Sequence, residues 1–175
     1  MLGFFRADED AFVKELMSSN INIDKLKKYI ANGVNINDVD EKGRNYLFFF
    51  AAKKNFNAIK VLISLGIDMY KEDKLGKTVL SEACEKYDFM MIKFLLDNGF
   101  DGNRKNSAGR TILQDCVLLG NDKVFQILLN YNLDFDIKDS DGKNVVFDAI
   151  ENGNLATLKK VIDNVKDINA VDKNG

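Results

Sequence analysis

The chain contains no histidine. The side chain that most readily exchanges a proton near neutral pH is therefore missing, and with it the commonest general base and a frequent zinc ligand. It contains no proline either, so no stretch reads as a rigid linker, and the 175 residues read as one continuous domain. Cysteine is scarce: Cys84 and Cys116 stand alone, without CxxC spacing or histidines to complete a zinc site. Both read as small packed residues in a reducing compartment. An excess of positive charge is lacking too. The net charge of -2 gives no overall field to attract nucleic acid or anionic lipid. The N-terminal MLGFF is followed at once by RADED, too short and too acidic for a signal peptide or a span, and no later window approaches the length of a membrane helix. A cytoplasmic protein with neither nucleic acid nor membrane as partner is expected. No glycine-rich phosphate loop, nucleophile elbow or metal-ligand cluster appears, so neither catalysis nor a cofactor is expected.

What the chain does have is 46% apolar residues, enough for a core, and an acidic stretch resembling a calcium loop, DFDIKDSDGKNVVFDAIE, Asp134 to Glu151. An EF-hand places glycine sixth and draws ligands from the first, third, fifth and twelfth positions. With Gly142 sixth, Asp139, Asp141 and Asp148 fall on the later ligand positions, but the first is Ile137, which cannot coordinate a metal. The bidentate glutamate is replaced by the shorter Asp148. These acids read as turn residues, and millimolar calcium is expected to leave the melting temperature unchanged. A clear rise would revive the calcium loop, because a ligand of the native state must stabilise it.

Internal repetition explains the stretch. Gly43, Gly76, Gly109, Gly142 and Gly175 follow one another at 33-residue steps without insertion or deletion. Three residues before each stands Asp40, Asp73, Asn106, Asp139 or Asp172. The same period links Leu47, Leu80, Leu113 and Val146, and the triplets beginning at Val61, Phe94, Ile127 and Lys160. Glycine after D-x-x permits a turn with positive φ, and the aspartate can accept from local N–H groups. Thr78 with Ser81 and Thr111 with Gln114 have capping-box spacing, and Asn45 and Asn144 suit a cap alone.

From about residue 18 to Gly175 the chain resembles the ankyrin repeat, a turn finger followed by two antiparallel helices, most closely in DEKGRNYLFFFAAKKNFNAIKVLISLGIDMY and DKLGKTVLSEACEKYDFMMIKFLLDNGFDGN. Where that family commonly carries Thr-Pro-Leu-His, this chain has NYLF, TVLS, TILQ and NVVF. The resemblance implies an all-α repeat solenoid with β-turn or hairpin fingers, a stack of about five helix pairs. Residues 1–37 read as an N-terminal capping unit with helices around Asp10–Ser18 and Asp24–Ala31. Repeats follow at 38–70, 71–103, 104–136 and 137–169, then a finger stub at 170–175. Lys28 and Lys160 replace the apolar Val61, Phe94 and Ile127 in the terminal units, as capping requires.

The resemblance further implies a non-catalytic protein-binding module whose partner meets the finger tips and the first helix of each repeat. Carried to this chain, the candidates are Arg44, Phe49 and Lys53; Leu75, Lys77, Glu82, Glu85 and Lys86; Arg110, Asp115, Leu118 and Leu119; and Lys143, Asp148, Glu151 and Asn152. Glu82, Asp115 and Asp148 recur at one position and are expected to form an exposed acidic line. Leu75, Leu118, Leu119 and Phe49 add apolar groups, a combination suited to a basic amphipathic segment of a partner protein. Leu118 and Leu119 read equally as packing under a neighbouring finger. Lys27, Lys60, Lys93 and Lys159 repeat on the opposite side and read as solvated helix lysines or a basic stripe. A monomer is expected. A regulatory, inhibitory or immunity-type subunit that binds and controls an enzyme is the alternative, and a ligand binder a more remote one.

Overall fold

The computed structural model describes residues 7–175; residues 1–6, the start of the expected capping unit, lie outside the described residues. Among the described residues ten helices run in chain order: α1 (Ala7–Leu16), α2 (Ile23–Ala31), α3 (Tyr46–Ala52), α4 (Phe56–Ser64), α5 (Val79–Glu85), α6 (Phe89–Asp97), α7 (Ile112–Leu118), α8 (Asp122–Leu128), α9 (Val145–Asn152) and α10 (Leu155–Ile162). They form five pairs, and no strand occurs among the described residues. The chain divides into two compact units, one up to Leu75 and one over Gly76–Gly175. Helix α1 starts at Ala7, earlier than the Asp10 expected, so that Glu9 and Asp10 fall in its first turns, where the helix dipole favours acids.

The caps follow the repeat. In the second unit, Thr78 Oγ1 accepts from the Ser81 N–H while Ser81 Oγ accepts from the Thr78 N–H, closing a capping box. Thr111 and Gln114 do the same, and the Gln114 side-chain amide also donates to the Lys143 carbonyl at 3.0 Å, tying one helix pair to the next finger. Asn45 and Asn144 cap α3 and α9 singly. The second helices carry a cap series of their own at the same 33-residue period: Asn22, Asn55, Asp88, Asn121 and Asn154. Each such cap contributes ~1 kcal/mol, so the array does without the family's proline and histidine.

The fingers are turns rather than paired strands. The Asp40 N–H donates to the Arg44 carbonyl at 3.0 Å and the Gly43 N–H to the Asp40 carbonyl at 2.9 Å. Asp40 Oδ1 meanwhile accepts from the Lys42 and Arg44 N–H groups. Asn106 and Asp139 brace their turns identically. Gly43 sits at φ +80°, and a Cβ there would come within 3.2 Å of the Lys74 backbone nitrogen, so both chirality and space demand glycine. Adjacent fingers touch through their backbones: the Lys74 N–H donates to the Lys42 carbonyl in the first unit, and the Lys173 N–H to the Asp141 carbonyl in the second.

Both helices of each pair contribute to the core, the first through residues such as Leu47, Leu80, Leu113 and Val146. Leu62 in the first unit, and Leu95, Leu128 and Val161 in the second, share one repeat position and are fully buried. In the first unit α1 packs on α2 and α3 on α4, with the rings of Phe12 and Tyr46 5.6 Å apart. In the second, α5, α7 and α9 stack in sequence and each packs against its own second helix.

Candidate protein-binding face

The face is built in the second unit by α5, α7 and α9 and the fingers that precede α7 and α9. At its centre is Arg110, whose guanidinium contacts three carboxylates. Its Nε lies 2.6 Å from Asp115 Oδ1, Nη2 lies 2.8 Å from Asp148 Oδ1, and Nη1 lies 3.3 Å from Asp139 Oδ2. Asp139 thus spends one oxygen on its own turn and the other on the arginine of the preceding finger. In the first unit Arg44 reaches Asp73, at 3.7 Å, through the same relation.

These contacts change the expected surface. Asp148, expected in an exposed acidic line, is buried, because Arg110 from the preceding finger lies over it. Burial pushes its carboxyl up to about 6, against the hydrogen bond and charge of Arg110, with Asp139 and Asp115 adding to the rise. Burial alone would weaken the Arg110 charge, but the hydrogen bonds it donates to Asp115 and Asp148 prevail and hold its proton more tightly. Asp115 is half-buried beneath the same guanidinium, and Asn106 Nδ2 donates to its second oxygen. Glu82 is likewise drawn inward and paired with Lys86 one turn on. The acidic line is therefore a set of internally paired groups, with Asp148 removed from solvent. Arg110 and Arg44 are half-buried bridges between fingers rather than free tips.

Other candidates lie where the repeat pattern places them. In the first unit Leu75 is 75% exposed, and Phe49 is half-buried, edge-on to Phe50, with the Lys53 ammonium 5.0 Å from its ring centre. In the second unit Lys86, Glu85, Leu119 and Glu151 are exposed, and the Lys77 ammonium pairs with Glu85 at 2.6 Å. Lys143 and Asn152 are half-buried, the latter donating its amide to the Leu118 carbonyl. Lys27, Lys60, Lys93 and Lys159 are all exposed on the second helices.

Between α5 and α7 the face dips into an apolar recess of about 160 Å³. Cys84, Ile112, Cys116 and Leu118 line it, and Glu85, Asp115 and Leu119 stand among its walls. Leu119 is 69% exposed, while Cys84 and Cys116 are buried and free. Burial pushes both thiols up, Cys116 to about 12, so neither is a thiolate near neutral pH. The Cys116 thiol donates to the Asn121 carbonyl, and Asn121 in turn donates to the Cys84 carbonyl from the cap of α8. The recess is thus fixed by the cap of α8 and offers shape and apolar surface rather than a nucleophile. Sequence reasoning noted both cysteines as packed residues but not that they converge. Their spacing of 32 residues, one short of the period, is the available signal: they come from adjacent positions of successive first helices.

A family model for ankyrin repeats in three copies matches residues 13–106 and 88–172. The chain belongs to the ankyrin-repeat family. No curated protein matches it. For an ankyrin array the D-x-x-G turns and the paired helices follow from the repeat itself, and Asp115, Asp139 and Asp148 stand at recurring positions of it, whereas the residues of the recess and the arginine that gathers these acids vary between units. No helix among the described residues is long and apolar enough to cross a membrane.

Proposed function

We propose that this ankyrin array is a non-catalytic protein-binding module, and that its partner seats a basic, amphipathic segment across α5, α7 and α9. The observation that supports this most is the recess between α5 and α7, where exposed Leu119 and half-buried Leu118 border a hollow floored by Cys84 and Cys116. An apolar cavity of ~150 Å³ accepts a benzene-sized group, so this recess suits one aromatic or branched side chain of the partner. The charges beside it favour a cation. Arg110 neutralises only one of the three carboxylates it touches, and Glu151 lies exposed on α9. Such complementarity governs encounter rate and orientation more than affinity, which the buried apolar anchor supplies. A subunit that controls an enzyme would use the same face, with the partner's identity deciding its role.

The test is Leu119→Lys combined with Glu85→Lys. Both side chains are exposed, so stability should stay within ~0.5 kcal/mol of the parent. Capture of the partner from an extract of the native source should nevertheless be lost. Undiminished capture by the folded double variant would move the binding face elsewhere, and Lys93 and Lys159 on the second helices would be changed next.

A further inference from the structure

A buried carboxylate oxygen without a partner stands within the Arg110 cluster. Asp148 Oδ1 accepts from Arg110 Nη2 at 2.8 Å, but Oδ2, also removed from solvent, accepts no hydrogen bond among the described residues. The residue as a whole is 3% exposed. The charged groups that act on it are Arg110 and Asp139 from the fingers and Asp115 from α7; α10, which also packs on α9, adds none to these among the described residues. Three carboxylates thus share one guanidinium, which leaves surplus negative charge in partly dry surroundings. Asp115, at the same repeat position as Asp148, has both oxygens bonded, one by Arg110 and the other by Asn106. The open valence therefore belongs to Asp148, and a proton or a further cation would relieve it. The cluster reaches the recess through Asp115, which touches Arg110 and stands in the recess wall.

We infer that the Arg110 cluster makes the binding face sensitive to pH, because a proton on Asp148 and a cationic side chain of the partner favour opposite charge states of the same three carboxylates. This rests on the proposed seating of a basic segment beside the recess. Burial raises the Asp148 carboxyl to about 6, so acidification through that value removes one negative charge from the cluster and weakens its attraction for a cation. The linkage is reciprocal. A bound cation lowers the proton affinity of Asp148 by the factor by which the proton lowers the affinity for the cation. The chain has no histidine, so the side chain that ordinarily changes charge in this pH range is absent, and the change is left to a carboxylate.

Two titrations of the full chain test the inference. Carboxyl-carbon NMR, with Asp148 identified by the signal lost in Asp148→Asn, should give a midpoint of about 6. The Arg110 Nε–H resonance should move with the same midpoint, a readout that needs no variant. Midpoints in the ordinary aspartate range would overturn the inference. The second titration follows, at constant salt, the binding of a probe peptide of lysine, leucine and phenylalanine with blocked ends, whose own charge is constant from about pH 5 to about pH 7.5. Its affinity should rise roughly fivefold over that interval, and the rise should vanish in Asp148→Asn. Affinity independent of pH in the parent, or a rise that survives Asp148→Asn, would overturn the inference and leave the proposed face standing. No binding at any pH would overturn the reading of the face and the inference with it.

Discussion

Leu95→Ala is expected to destabilise the second unit by ~2–5 kcal/mol through lost burial and an unfilled cavity. Leu95 is fully buried on α6, which packs against both α5 and α8. The loss will therefore reach the neighbouring pair, since each repeat supplies half of its neighbour's interface. At roughly 2–4 °C per kcal/mol for a chain of this size, the melting temperature should fall by about 4–20 °C. Thermal and urea melts of the two chains check this. A fall no larger than that of an exposed substitution would mean that α6 is not a core element.

Arg110→Ala is expected to be nearly as damaging, at about 3 kcal/mol near pH 7, because it leaves Asp148 and Asp139 without their cation in partly dry surroundings. Lysine should not rescue it, since one ammonium cannot fork to three carboxylates. The loss should depend on pH with a definite sign. The folded-state pKa of Asp148 is about 6, above the ordinary 3.8, so the folded chain binds this proton more tightly than the unfolded one. Its contribution favours folding most below about pH 4 and is lost as pH rises through the folded pKa near 6. Removing Arg110 removes an influence that lowers that pKa, so acidification from about pH 7 to about pH 5 should recover part of the stability lost. Asp148→Asn in the same background should recover it at both values and flatten the profile. Equal stability of Arg110→Ala and the parent would show these pairs to be solvated contacts of negligible worth.

The fold was legible because its causes repeat. A glycine at fixed period with an acid three residues earlier fixes the turns, and the apolar triplets fix the second helices; Leu62, Leu95, Leu128 and Val161 are all fully buried. The first-helix caps were legible from Thr78–Ser81 and Thr111–Gln114, while the equally regular caps of the second helices went unread although Asn22, Asn55, Asp88, Asn121 and Asn154 share one period. The site was less legible, because period fixes a position on a helix but not what reaches over it. Asp148 occupies the same position as Glu82 and Asp115, and it differs through Arg110, 38 residues earlier, whose guanidinium covers it. The recess was hidden for a related reason: Cys84 and Cys116 belong to different positions of successive repeats and meet only across the α5–α7 contact.

Amide hydrogen exchange of the chain, alone and with the captured partner, tests the central claim that the first helices are the binding surface. Slowed exchange is predicted along α5 and α7, from Ser81 to Lys86 and from Asp115 to Leu119, with α6, α8 and α10 unchanged. Protection confined to the second helices around Lys93 and Lys159 would contradict the account.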